Sequence, residues 1–486
     1  MYKKFLKKSL VLLLILLVSI TLSNCAYSSK EKGGYFKKLH SDIPVAGSAR
    51  KVNDGKILIY AGEAGNIIFD PKTDTFRKTA KAKKGIELTS SAALADGRVL
   101  FVGPYAIHSP TDELDLYSLV ADDLFKKRLK KYRIVESTLT DSEIRNLRRQ
   151  VYLEEYASLY EDEREKLLLP YLKKNPELMK KYNDCVAEYE QSMHGQIYDP
   201  VTETFEYTKG KLNIRRFDTT LVLLKNGNVL IMGGQTPRDR KIPIGIADEG
   251  MSTRAGRMEI YNPETETFSL VNNTTPIYYV KDAFLLKDGR VFIIYSGKYT
   301  IYDPEKNVFS ESGRLIKYKQ HLKLSDDKIL FFVGPDTTFE TFKLPQHSHN
   351  HQSYLYYFKQ YNISEIVIYD INKKEYKNGG HLLIPRGGSD MFTFGLIELK
   401  DGNILVFGGE DKAEERKLGD TVLEKKDAEI YNPKTGISKV IKKMNYGRVN
   451  DEAILLDDGR VLLYCGNHSI AKDIELKNIE LYIPEK

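Results

Sequence analysis

The 486-residue chain contains no tryptophan, which excludes any repeat signature built on that residue. It has three cysteines. Cys25 closes the N-terminal leader, Cys185 falls in a helical pattern and Cys465 ends an apolar run, so no disulfide framework is expected even for an exported chain. One long apolar stretch exists, Leu10 to Ile20, and it is too short and too early for a membrane span. The formal net charge is +7. Lys3, Lys4, Lys7 and Lys8 lie in the leader, which leaves about +3 for the rest and gives no ground for a nucleic-acid partner.

The leader has an order of its own: a positive region, an apolar stretch, then Leu22-Ser23-Asn24-Cys25. This resembles the lipobox of bacterial lipoproteins, with Asn24 in place of the usual Gly or Ala. The resemblance implies cleavage before Cys25 and lipidation of its thiol, with the membrane as a partner through that anchor. Several acyl chains hold a protein at a membrane where one alone is marginal. Residues 1–24 therefore read as a signal peptide and residues 25–33 as a tether. The expected location is the bacterial cell envelope, periplasmic or surface-exposed.

Beyond the leader, two signatures alternate seven times. The first is a turn, an apolar run and a glycine, as in Asp54-Gly55-Lys56-Ile57-Leu58-Ile59-Tyr60-Ala61-Gly62. It recurs at Asp96, Asn226, Asp288, Asp326, Asp401 and Asp458. Asp-Gly and Asn-Gly suit the positive φ of a tight hairpin turn. Runs apolar on both faces belong to buried strands, and the closing glycine permits a sharp exit and close backbone approach.

The second signature is an aromatic, then usually Asp or Asn and Pro, then a further aromatic. It begins Phe69-Asp70-Pro71 and recurs at Tyr198, Tyr261, Tyr302, Tyr369, Tyr431 and Tyr482. The later aromatics are Phe76, Phe205, Phe268, Phe309 and Tyr376; Ser438 stands in the sixth copy. Each unit then supplies four antiparallel strands, one propeller blade. The once-per-blade tyrosines read as core packing. The seventh unit ends two residues after Pro484, without an outer strand. Residues 34–39 precede the first inner strand as Phe76 precedes the second, so they are expected to complete the last blade and remove its open edge.

This order is similar to bacterial Kelch repeats of the kind in the propeller of galactose oxidase. The glycine pair is complete only at Gly233-Gly234 and Gly408-Gly409, and the usual outer-strand Trp is Phe or Tyr. The fold class expected is all-β, a seven-bladed Kelch-like propeller over residues 34–486. The resemblance also brings a copper-radical enzyme to mind, but no Cys, Tyr and His constellation of that type can be placed, so no cofactor is expected.

Extra length falls between the second and third strands of several units, on one rim of such a propeller, the rim that commonly binds. The largest insertion, residues 110–193, reads as helical. One helix is expected from Thr111 to about Tyr132. A second opens with the capping box Thr140-Asp141-Ser142-Glu143 and runs to about Leu168. A third opens at Asn175-Pro176. Lys126, Lys127, Arg128, Lys130, Lys131 and Arg133 form a basic run that reads first as a solvated helical face and second as a site for an acidic partner.

Candidate ligand residues are few. Arg216 and Arg448 stand ten residues before Asn226 and Asp458; Arg386 is of the same type but out of register. Such arginines could clamp a carboxylate bidentately, or pair structurally with Asp218, Asp451 or a neighbouring carbonyl. His347, His349 and His351 could share an ion on an extended segment, though the spacing is not a zinc signature and the expected metal is none. The functional expectation is a lipid-anchored binding or interaction scaffold whose partner is an envelope protein or glycan. A carbohydrate-acting enzyme, such as a sialic-acid mutarotase-like one, and a structural envelope component are the alternatives.

Overall fold

A computed structural model describes residues 33–41, 48–60, 65–83, 90–103, 116–157, 159, 161–237, 252–254, 256–272, 276–334, 339–343, 354–358, 362–387, 393–410, 416–417, 424–449, 452–464 and 479–485. The chain is a mainly-β, seven-bladed propeller with helices inserted in its second sheet. It divides into two compact units. Residues 41–317 hold blades 1 to 4, and residues up to 40 together with 318–486 hold blades 5 to 7.

Every blade is four antiparallel strands. In blade 1 these are Ser48–Lys51, Ile57–Tyr60, Ile67–Asp70 and Thr75–Lys78. The second strand is buried along its whole length in blade 1 and again at Val99–Val102, Val229–Met232, Ile404–Phe407 and Val461–Tyr464. Both of its faces are packed. Leu100 and Val102 of blade 2 meet Val229 and Ile231 of blade 3, while Val99 and Phe101 turn to Leu58 and Tyr60 of blade 1.

Blade 1 shows the expected paired positive φ, at Asp54 (+61°) and Gly55 (+71°), but the other Asp-Gly and Asn-Gly turns do not. In blade 2 only Gly97 is left-handed, at φ +86°. Its N–H reaches back to Leu94 O (3.1 Å), and Asp96 Oδ1 accepts from Arg98 N (3.0 Å). The acidic side chain thus caps a three-residue loop instead of adopting positive φ itself. The exit glycines do allow close approach. A Cβ on Gly103 would lie 2.6 Å from Arg216 O, on the segment leading into blade 3.

The two aromatics of the second signature meet across the third and outer strands. Ring centroids lie 4.9 Å apart for Tyr198 and Phe205, 4.9 Å for Tyr261 and Phe268, and 4.6 Å for Tyr369 and Tyr376. Blade 6 pairs Tyr431 with Ser438. There the outer strand of blade 5, Glu375–Gly387, comes close, with Gly380 against the Gly436 carbonyl. The Tyr431 hydroxyl donates to Gly379 O at 2.6 Å. The small side chain at 438 leaves room for that backbone.

Blade 7 is completed as the sequence suggested. Tyr35–Leu39 pairs antiparallel with Ile479–Ile483, from Tyr35 opposite Ile483 to Leu39 opposite Ile479. Phe36 packs on Tyr482 at 5.3 Å, in the place of the outer-strand aromatic. Gly34, at φ +88°, occupies the left-handed turn position held elsewhere by Glu203, Glu266, Asn307 and Gly436. The seventh turn is therefore split: Pro484 and Glu485 supply one half, Gly33 and Gly34 the other.

The helical insertion lies between the second and third strands of blade 2, and its helices are shorter than expected. Helix α1 spans Ala121–Tyr132, after a 3-10 turn at Leu116–Leu119; residues 111–115 lie outside the described residues. The Thr140 capping box forms and opens α2, Asp141–Val151. The single helix expected to about Leu168 is broken by a π-helical turn, Tyr152–Ala157, before α3, Glu161–Leu172. Contacts made by that turn account for the break: Arg128 forks to Glu154 (2.6 Å) and Glu155 (2.9 Å), and the Tyr152 and Tyr156 rings flank Tyr117. Asn175 caps α4, Pro176–Gln191, accepting from Leu178 N at 3.1 Å.

In the unit of blades 5 to 7, the insertions of blades 5 and 6 join in a sheet the sequence did not announce. Phe339–Lys343 pairs with Tyr354–Phe358, which pairs with Arg416–Lys417.

Gly34→Val places a β-branched residue at positive φ, with its Cβ 2.5 Å from Ile483 O. We expect a loss of about 1–3 kcal/mol, read as a lower urea midpoint; an unchanged midpoint would show that the split turn does not hold the closing strand. Burial pushes the phenols of Tyr198, Tyr261, Tyr302, Tyr431 and Tyr482 up, those of Tyr431 and Tyr482 to about 12. The fold then keeps protons that the unfolded chain releases near pH 10. Stability is complete below pH 10 and falls as pH rises towards 12. Urea titrations at pH 8, 10 and 11.5 should show that decline, and Tyr431→Phe should reduce it.

Candidate functional site

The candidate arginines all resolve into one device. Arg216 Nη2 donates to Glu259 Oε1 at 2.9 Å, Arg386 Nη2 to Glu429 Oε1 at 3.2 Å, and Arg448 Nη2 to Glu480 Oε2 at 3.3 Å. Each pair has at most 1% of either side chain exposed; Arg216–Glu259 and Arg448–Glu480 each serve one blade, while Arg386, at the end of the outer strand of blade 5, reaches Glu429 of blade 6. The glutamate lies on the third strand; the arginine precedes, or ends just before, the inner strand. The carboxylates take backbone donors as well: Asn213 N (2.7 Å) and Ile214 N (3.0 Å) at Glu259, Leu383 N (2.8 Å) at Glu429, and Asn445 N (2.8 Å) at Glu480. Arg216 also donates to Gly233 O, and Arg386 to Gly408 O, both at exit glycines.

Of the two readings open for Arg216, Arg386 and Arg448, this burial and pairing favours the structural one, with glutamates and carbonyls as partners. A guanidinium sealed from solvent and held by a buried carboxylate is a strut. Burial lowers the pKa of Arg216 and Arg386, and the neighbouring Glu259 and Glu429 act against that. Asp218 is exposed at φ +57°, and the carboxylate at Arg216 is Glu259 instead. Asp451, His347, His349, His351, Cys25 and Cys465 lie outside the described residues.

Arg386 stays out of register with respect to its turn, yet its spacing to its partner matches that of Arg216. It stands 43 residues before Glu429, as Arg216 stands 43 before Glu259. Sequence reasoning missed these glutamates, yet a signal was present: Glu259-Ile260-Tyr261, Glu429-Ile430-Tyr431 and Glu480-Leu481-Tyr482 all place Glu two residues before the repeat tyrosine. Blade 2 has Gln196 at that position. It meets the same need without charge, accepting from Lys83 N and donating to Lys83 O, each at 2.9 Å.

The helical insertion is the feature that departs most from the repeat. It has its own core, built on Leu116, Val120, Leu124, Phe125, Leu129, Val151, Leu168 and Leu172. It is tied to the outer part of blade 2 and the linker that follows. Glu190 pairs with Lys211 at 2.6 Å, Leu212 N donates to Met193 O at 2.8 Å, and the Arg215 guanidinium lies 4.0 Å from the Tyr189 ring centre. Its outward surface carries the basic run. Lys126, Lys127, Lys130, Lys131 and Arg133 are exposed, and among the described residues Arg128 alone of this run is drawn into ion pairs, with Glu154 and Glu155.

A separate cleft of ≈ 390 Å³ lies at the split turn, between blades 6 and 7. Ile430, Ile437, Tyr482 and Pro484 give it apolar walls, while Asp401 and Lys439 bring charge. It is within the size range of small-molecule sites, and none of the sequence-derived candidates lines it.

No protein-family model matches the chain, and no curated protein does. Among solved structures it is similar to one described as a novel fungal alcohol oxidase with catalytic diversity among the AA5 family, in complex with copper. The two share 13% identity, with 94% of this chain and 77% of that chain covered and a TM-score of 0.54. At that identity the likeness is one of fold. Among the described residues no three His, Cys, Asp or Glu side chains converge as metal ligands.

Removing one partner of a strut strands a buried charge. Arg216→Met should cost about 3–5 kcal/mol, measured by urea unfolding. The double variant Arg216→Met with Glu259→Leu should recover part of that loss. Equal losses in the single and double variants would show that the pair is not coupled.

Proposed function

We propose that this protein is a lipid-anchored binding scaffold of the bacterial cell envelope, held through Cys25, with the helical insertion of blade 2 as its partner-docking module. The reading of the anchor rests on the charge, apolar and cysteine order of the leader. The docking role rests on one observation: a helical body with its own core stands on a repeat whose candidate arginines are locked inside the blades. Insertions on a rigid scaffold are the usual carriers of binding. The sugar-acting enzyme and the structural envelope component draw support from no arrangement among the described residues.

Two measurements test this. Radiolabelled palmitate should enter the full-length protein and be lost in Cys25→Ser; equal labelling of both would remove the anchor. A soluble chain beginning after Cys25 should lose its envelope partner when residues 116–193 are replaced by a short Gly-Ser linker. Undiminished partner binding, or a glycan ligand that survives the deletion, would move function away from the insertion.

A further inference from the structure

The exposed face of α1 differs from an ordinary solvated helix. The acidic groups that could neutralise it are committed elsewhere. Asp122 pairs with Arg148 at 2.8 Å, Asp123 accepts from the Tyr171 hydroxyl, and Glu154 and Glu155 hold Arg128. Lys126, Lys127, Lys130 and Arg133 have no ion pair among the described residues, and Lys131 meets only the Tyr132 ring, at 5.2 Å. Placement near the negative helix end explains Lys130 and Lys131. Lys126, mid-helix, feels the charge of Asp122, which is itself bonded to Arg148, and Lys127 has no ion pair among the described residues.

Apolar groups accompany the charge. Tyr132 is 54% exposed, Val135 60% and Leu153 52%. Arg128 links two of them in space: its guanidinium lies 5.3 Å from the Tyr132 ring and bonds Glu154, next to Leu153. The π-helical turn thus presents Leu153 outward, and the Tyr132 ring that Arg128 touches also meets Lys131, the last lysine of the row. A few apolar anchors flanked by charge of one sign make a surface suited to protein recognition.

We propose that this face of α1 and the adjoining π-helical turn bind an acidic protein segment, with carboxylates on Lys126, Lys127, Lys130 and Lys131 and an aliphatic or aromatic anchor against Tyr132 and Leu153. An anionic lipid surface is the rival occupant. It is disfavoured because the apolar face of α1, Leu124, Phe125 and Leu129, is spent in the core of the insertion and has nothing to place among acyl chains. The inference rests on the docking role of the insertion and names the chemistry of its partner.

The test uses the soluble chain beginning after Cys25 and three probes. These are an amphipathic Glu/Leu helical peptide, the same peptide with Gln for Glu, and vesicles of phosphatidylglycerol. The acidic peptide should bind the chain, and the Gln peptide at least tenfold more weakly. Lys126→Glu/Lys127→Glu/Lys130→Glu/Lys131→Glu should weaken acidic-peptide binding tenfold or more, and Tyr132→Ala/Leu153→Ala severalfold, with unchanged thermal melts. Binding should also fall steeply from 50 to 200 mM salt. Absent binding, binding indifferent to charge reversal, or vesicle binding equal to peptide binding and indifferent to Tyr132→Ala/Leu153→Ala would each overturn the proposal. If replacing residues 116–193 abolishes capture of the envelope partner while charge reversal does not, this inference fails alone. If the replacement leaves capture intact, the docking role fails with it.

Discussion

The pairing of Tyr35–Leu39 with Ile479–Ile483 is the contact on which the seventh blade depends. Ile479, Glu480 and Leu481 are fully buried. Without a fourth strand their outer edge would carry unpaired N–H and C=O groups, the situation that invites strand addition from other chains. The same strand supplies Phe36 to Tyr482 and a backbone carbonyl to Asn445, which in turn holds Glu480. Order in the closing strand therefore reaches the Arg448–Glu480 pair through two side chains. A β-strand donated across the whole length of the chain is here a structural part, with Gly33 and Gly34 standing in for half a turn.

The blades repeat one packing solution and vary its polar centre. The second strand of blade 2 is apolar on both sides because blades 1 and 3 each cover one of its faces. In blades 3 and 7 a buried arginine and glutamate tie the entry of the inner strand to the third strand, Arg386 ties the end of blade 5 to the third strand of blade 6, and blade 2 uses a neutral amide. Buried ion pairs add little net stability compared with apolar packing, but breaking one is costly. Their value is positional. The charged head of Arg216 satisfies Gly233 O, and that of Arg386 satisfies Gly408 O, where the chain leaves a strand and few other donors can reach.

The helical insertion follows different rules. Its helices are short and pack by their own core, with α2 and α4 capped by side chains at their N-termini. Neighbouring residues pair its acids and leave a lysine row in solvent. A rigid repeat carrying a body of this kind separates two tasks, since the sheets fix position while the helices are free to differ in surface chemistry.

The sequence by itself determined the blade count, the antiparallel four-strand unit, the closing strand and two helix caps. Asp-Gly turns, two-faced apolar runs, Thr140 with Glu143 and Asn175 with Pro176 act within a few residues, so their outcome is written locally. Tertiary structure decided the rest. Arg216 could have met the nearby Asp218 or a ligand, and only folding showed that Glu259, 43 residues on, takes its charge. The helix expected to run to Leu168 breaks because Arg128 and Tyr117, from earlier in the chain, hold the turn at 152–157. Insertions of blades 5 and 6 share a sheet because strand pairing is open to any edge that is brought alongside. Contacts that join distant segments depend on which neighbours the fold supplies, and no short pattern encodes them.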